Sequence, residues 1–353
     1  MCIYYGDMPG LTYNKREHIF PAGLGGKAML PKGYVSDQAN ELFSPLEAKL
    51  MHDSLLSVSR SLLGPGKRGS LNPQKASKSK ICVLKKSDDV LSLGYVAGSK
   101  GYYINSLSKH STQFVFTVAT EQHSSPQQAW DDFKDIVSKF SGKYTSIQSN
   151  DVKQNEWIFG IYNGKYYVVL GPECCVETMK RELLRIITTS KSGPLNHKIS
   201  HPVFDIPQTE SDLTGRVYAK VAINVLAALK GEEYINHNRF LPIKDWILGK
   251  SSSENYTQLP RVTSENKLKF PEFCHWCIYL IRDKKICVTV CFYNTFSRYF
   301  EMADSIEQLD CDFGENRMLG MICDWKRKKE YTLDQWILEA AIHYAKEQDK
   351  NFY

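Results

Sequence analysis

From Arg16 the chain reads Arg16-Glu17-His18-Ile19-Phe20-Pro21, passes through a loop holding Gly23, Gly25 and Gly26, and comes back as Val35-Ser36-Asp37-Gln38-Ala39-Asn40. An acid next to a histidine, with an asparagine 22 residues further on, can bring two oxygen ligands and one imidazole around a single divalent cation. The local fold is correspondingly narrow. Two short strands, at 14–21 and 28–36, flank the glycine loop, and a helix begins near Asn40. Ser44, with Pro45 next and Glu47 three residues on, has the form of a capping box with proline at the first helical position. That predicts a second helix from Ser44 to about residue 63, burying Leu46, Leu50, Leu55 and Val58 and stopping at Gly64-Pro65-Gly66.

Charge is concentrated on this same stretch. Residues 1–87 carry 13 Lys and Arg against 6 Asp and Glu, a net +7, while the whole chain is +6, so the remaining 266 residues sum to −1. A basic surface beside a cation site gathers a polyanion and makes its binding salt-dependent. Residues 67–80 are rich in Gly, Ser, Asn, Pro and Lys, a composition of linkers or phosphate-contacting loops, and a domain boundary falls near 66–90.

The rest of the chain reads as α+β. Strands are expected at 102–104 and 113–118. A helix should start at Ser125-Pro126 with Trp130, Phe133, Val137 and Phe140 on one face. A hairpin over 157–162 and 166–170 turns at Asn163-Gly164, and a helix follows over 176–189. Residues 190–213 connect two units. The segment 216–229 is apolar on nearly every side, as a buried helix would be. A second hairpin pairs 276–281 with 286–292. The last helix begins near Thr332, with Gln335 completing a capping box and Leu333, Trp336, Ile337, Ala340 and Tyr344 forming an inward stripe. No apolar run approaches the roughly 18 residues of a membrane helix, and the first 20 residues lack the apolar core of a signal peptide. The expected location is the cytoplasm, with no membrane partner. There the ten cysteines are reduced thiols, and Cys274-His275-Trp276-Cys277 reads as two inward thiols of a strand before a zinc knuckle.

The stretch from Cys2 to Gly69 resembles an HNH endonuclease domain of the ββα-metal type, through Glu17-His18-Ile19-Phe20-Pro21, Gly25-Gly26, Asn40 and Ser44-Pro45-Leu46-Glu47. The resemblance implies a nuclease that cleaves nucleic-acid phosphodiesters, duplex DNA above all, in settings such as restriction or phage defence. It implies His18 as general base, Asn40 as a second catalytic residue, and Glu17 and Asn40 on Mg²⁺ or Mn²⁺. Further candidates are Arg16, Lys67 and Arg68 for phosphates and Glu47, Lys49 and His52 for a third contact. Relatives frame the motif with two Cys-x-x-Cys pairs. Here those positions read Cys2-Ile3-Tyr4-Tyr5 and Ser36-Asp37-Gln38-Ala39, so no structural zinc is expected. Tyr4, Tyr5 and Phe20, with later segments docked on the helix, are the replacement, and residues 1–64 should fold poorly alone.

The expected layout is an N-terminal ββα-metal domain (1–64), a basic linker (65–90), an α+β middle domain (91–213) and a C-terminal α+β domain (214–353), the last available to a protein partner or a second copy. The competing reading is a non-catalytic nucleic-acid-binding or sensor protein on a degenerate scaffold of the same type.

Overall fold

The computed structural model describes residues 1–54, 56–72, 75–85, 90–98, 100–121, 125–190, 212–252, 270–310 and 318–350, with side chains apart from those of 53, 67 and 343–350. It is a mixed α+β protein. In chain order its elements are α1 (Asp37–Asp53), α2 (Leu56–Leu63), β1 (Cys82–Lys85), β2 (Leu91–Ala97), β3 (Lys100–Tyr103), β4 (Asn105–His110), β5 (Gln113–Thr117), α3 (Pro126–Ser138), β6 (Thr145–Ser146), β7 (Trp157–Tyr162), β8 (Lys165–Leu170) and α4 (Val176–Thr189). Then come α5 (Asp212–Lys230), α6 (Glu232–Ile235), α7 (Leu241–Leu248), β9 (His275–Arg282), β10 (Lys285–Phe292), β11 (Phe296–Asp304), β12 (Leu319–Asp324), β13 (Lys329–Thr332) and α8 (Leu333–Lys350). Among the described residues no helix is long and apolar enough to cross a membrane.

Contacts divide the chain into two compact units, one of Met1–Arg60, Gly64–Ala76 and Thr209–Tyr353, the other of Ser61–Leu63 and Ser77–Gln208. In the second unit a five-stranded sheet runs β5-β4-β7-β8-β6, all antiparallel except the β6–β8 pair. Its strands are apolar on both faces for a reason. Trp157 and Phe159 point to the side of α3 and α4, whose Trp130, Phe133, Met179 and Leu183 they join. Ile158 and Val169 point the other way, to Leu93, Tyr95 and Ile104. The hairpin turns at Asn163 and Gly164, both at positive φ (49° and 70°), the pairing a tight turn between twisted strands requires. α3 starts where expected, with Ser125 accepting from the Gln128 amide and Pro126 in its first turn.

In the first unit the antiparallel sheet β11-β10-β9-β12-β13 packs on α5, which also meets α1. The sheet, α5 and the first sixty residues share one core containing Tyr4, Phe20, Phe43, Val221, Val225, Tyr279 and Phe292. Expectation and structure differ at three places here. The strands expected at 14–21 and 28–36 reduce to a single antiparallel bridge, His18 with Met29, flanked by the bonds Ile19 N–H to Ala28 O (3.0 Å) and Leu30 N–H to Glu17 O (2.8 Å). Pro21 and Pro31, which lack the donor a longer ladder needs, bound it. There is also no helix start at Ser44. α1 begins after Ser36, whose hydroxyl accepts from Ala39 N–H at 3.3 Å, and runs through Pro45, because burying Ala39, Phe43 and Leu50 on one face outweighs one lost backbone bond. Finally, Thr332 and Gln335 do form a reciprocal cap on α8, but of its expected inward stripe Leu333 is buried and Trp336 half-buried, whereas Ile337 (44%) and Ala340 are exposed. The side chain of Tyr344 lies outside the described residues, as do nearly all of the connection at 190–213 and Leu55.

Candidate functional site

The loop between His18 and α1 owes its shape to two glycines. Gly25 sits at φ 98°, in the left-handed region where a side chain is strained, and a Cβ on Gly26 would stand 2.0 Å from the Phe20 carbonyl oxygen. The tight return brings Glu17 opposite the first turns of α1. Asp37 fixes the approach, its carboxylate accepting from the Thr12 hydroxyl (2.7 Å) and the backbone amides of Asn14 and Lys15, which hold it well below the usual carboxylate range.

Here a cavity of about 490 Å³ opens, lined by Glu17, Asn40, Phe43, Glu47 and Lys220, with the exposed Lys15, Arg16 and Glu41 toward solvent. The Lys220 ammonium, its side chain only 1% exposed, donates to Oε1 of Glu17 and to Oε1 of Glu47. Burial alone would lower the lysine pKa, but the two carboxylates outweigh it and raise it. Burial also raises the Glu17 carboxyl, against the pull of Lys220. Asn40 presents a side chain whose Oδ1 and Nδ2 are both buried with no hydrogen-bond partner among the described residues, which costs about 1–3 kcal/mol per polar group unless a ligand satisfies it.

His18 does not line the cavity. Its carbonyl accepts from Asn224 Nδ2 at 2.9 Å, and its half-buried imidazole is shifted down by burial, opposed by the nearby Glu47 charge. Arg16 is partly used by the fold, its guanidinium donating to the Leu30 and Met29 carbonyls at 3.0 and 3.2 Å. Lys49, His52 and Arg68 are exposed and outside the lining, and the Lys67 side chain is not among those described. The expected site thus comes together at Glu17, Asn40 and Glu47, with Arg16 at the mouth.

The lining residue that sequence reasoning missed, Lys220, lies on α5. Arg216, Lys220 and Asn224 repeat every four residues and are all buried in an otherwise apolar helix. Arg216 Nε donates to the Ile247 carbonyl, Lys220 takes the two glutamates, and Asn224 joins the His18 carbonyl to the Tyr4 hydroxyl, which donates to Asn224 Oδ1 at 2.7 Å. That polar ladder was the available signal. Two more ties reach the glycine loop. His275 Nδ1 accepts from Tyr293 N–H (2.9 Å), which leaves Nε2–H to donate to the Leu24 carbonyl (3.0 Å), and Glu330 accepts from the Lys27 and Ala28 amides.

No three His, Cys, Asp or Glu side chains close on one point among the described residues. A cation in this cavity would draw instead on two carboxylates and a carboxamide, an all-oxygen set suited to Mg²⁺ or Mn²⁺ completed by water. The free Oε2 atoms of Glu17 and Glu47, with no hydrogen bond among the described residues, and the unsatisfied Asn40 carboxamide fit that use. At the positions where relatives of the resembled type would hold zinc, Cys2 and Ser36 lie against each other, Sγ to Oγ at 3.4 Å. No family model, curated protein or solved structure matches this chain.

Proposed function

We propose that the chain is a metal-dependent endonuclease of HNH type that hydrolyses phosphodiester bonds, with duplex DNA the first substrate to test. The observation that carries this reading is the convergence of Glu17, Glu47 and the unsatisfied Asn40 carboxamide on one cavity with Lys15 and Arg16 at its mouth. Glu17, Glu47 and Asn40 would hold Mg²⁺ or Mn²⁺, which when bound polarises a phosphoryl oxygen and acidifies water. Lys15 and Arg16 gather the backbone phosphates. His18, next to Glu17 in the chain but outside the cavity lining, is the base this reading assigns to the attacking water, and the burial that lowers its pKa keeps it neutral at pH 7.

Plasmid incubated with the full chain and Mg²⁺ or Mn²⁺ should be nicked or linearised, and His18→Ala should cleave about 10²–10⁴-fold more slowly. Equal rates for both proteins would remove His18 from the chemistry. A second reading, a non-catalytic nucleic-acid-binding protein, draws on Lys220 taking one oxygen from each carboxylate. Retention of plasmid without cleavage under any divalent cation would favour it.

A further inference from the structure

Lys220 presents the least expected chemistry in the molecule. Its ammonium is fully enclosed, sits between two carboxylates and lies 5.2 Å over the Phe43 ring, on a helix that no part of the amino-terminal motif encodes. A lysine placed there for packing alone would be poorly chosen, since an apolar residue on α5 could fill the same space without desolvating a charge. Among the described residues only Oε1 of each glutamate is engaged, so the ammonium leaves the other oxygen of each carboxylate to a further cation.

We propose that Lys220 is the balancing charge of this site, weakening the hold of Glu17 and Glu47 on a divalent cation while making the loaded site positive enough to take a phosphodiester through its reaction. The proposal rests on the nuclease reading above. Two carboxylates and one ammonium sum to −1, and a divalent cation brings the site to +1, opposite to the single negative charge of a phosphodiester. Without the ammonium the loaded site is neutral. In hydrolysis the water oxygen bonds to phosphorus, its proton passes to His18, and the leaving oxygen departs and takes a proton from solvent. The phosphorus centre carries two negative charges midway, so a site at +1 gains more there than a neutral one. Lys220 acts by charge on groups it does not covalently touch.

The two effects have opposite signs, which separates this role from a structural one. Removing the ammonium should strengthen metal binding and slow cleavage, whereas the loss of a residue that merely orients two ligands should weaken both. In full-length Lys220→Met, calorimetry should give a Mn²⁺ dissociation constant at least about tenfold tighter than wild type. Plasmid cleavage at saturating Mn²⁺ should fall at least about 10²-fold. Where Lys220→Met proves too unstable to purify, Lys220→Gln, which keeps an amide donor for the carboxylates, serves for the same two measurements. Unchanged or weaker Mn²⁺ binding in a folded variant overturns the proposal, as does tighter binding with undiminished turnover, while the nuclease reading survives both. A wild-type chain that neither binds Mn²⁺ nor cleaves overturns that reading and this one with it.

Discussion

Most pairings among the strands of residues 77–190 join neighbours in the sequence, β4 with β5 and β7 with β8 through two-residue turns, and the longest, β4 with β7, spans about fifty residues. The first sixty residues do the reverse. The His18–Met29 bridge and the long helix α1 are held by Asn224, Lys220, His275 and Glu330, residues 173 to 303 positions away at the contacts they make. One region carries its own code, and the other is completed from outside. In a zinc-bearing domain the metal is a local crosslink that can be worth roughly 10 kcal/mol or more of folding free energy. Here the first sixty residues are tied instead by distant hydrogen bonds and a core shared with α5 and the sheet.

The most demanding way to break the comparison is to cut the chain. Residues 1–76 expressed alone should give a disordered circular-dichroism spectrum, whereas residues 77–190 alone should melt cooperatively. A folded amino-terminal fragment would show that the distant ties are dispensable. Next in size is Gly26→Ala, where the new Cβ meets the Phe20 carbonyl, with an expected loss of about 3 kcal/mol in chemical denaturation.

The buried His275 gives a pH signature. Its pKa is lowered to about 4 by burial, below the 6.5 of the unfolded chain, so the unfolded state binds the extra proton first as pH falls. Its contribution is intact above pH 6.5 and is lost between there and about 4, amounting to about 3 kcal/mol. Melting temperatures across that window should drop more in wild type than in His275→Gln. Equal slopes would mean that another group sets the acid limb. The smallest effect belongs to the self-contained region. Gly164→Ala, at φ 70° in the turn between β7 and β8, should cost about 1 kcal/mol and leave the amino-terminal unit unchanged.

The same contrast governs what could be read in advance. The β7–β8 hairpin was visible because Asn163-Gly164 is a turn with a mechanism, and α3 because Ser125-Pro126 both caps and opens a helix. Ser44-Pro45-Leu46-Glu47 carried the fuller capping signature yet lost to Ser36, since burial of Ala39 and Phe43 decides where α1 begins and no local pattern encodes that. Glu17 and Asn40 could be named from spacing because one loop and one helix bring them together, whereas Glu47 stood only as one of three helix candidates beside Lys49 and His52. Lys220 could not. Its partners lie 203 and 173 residues away, and a lysine inside an apolar helix announces only that something must meet it.

The ladder of three polar residues on α5 also sets an order of events during synthesis. The ribosome releases Glu17, Asn40 and Glu47 long before Arg216, Lys220 and Asn224 exist, and the loop clasp from His275 and Glu330 arrives later still. Until those segments are made, the acidic pair lacks its counter-charge from α5 and the loop lacks its anchor. The pocket therefore matures only after residue 330 has been added.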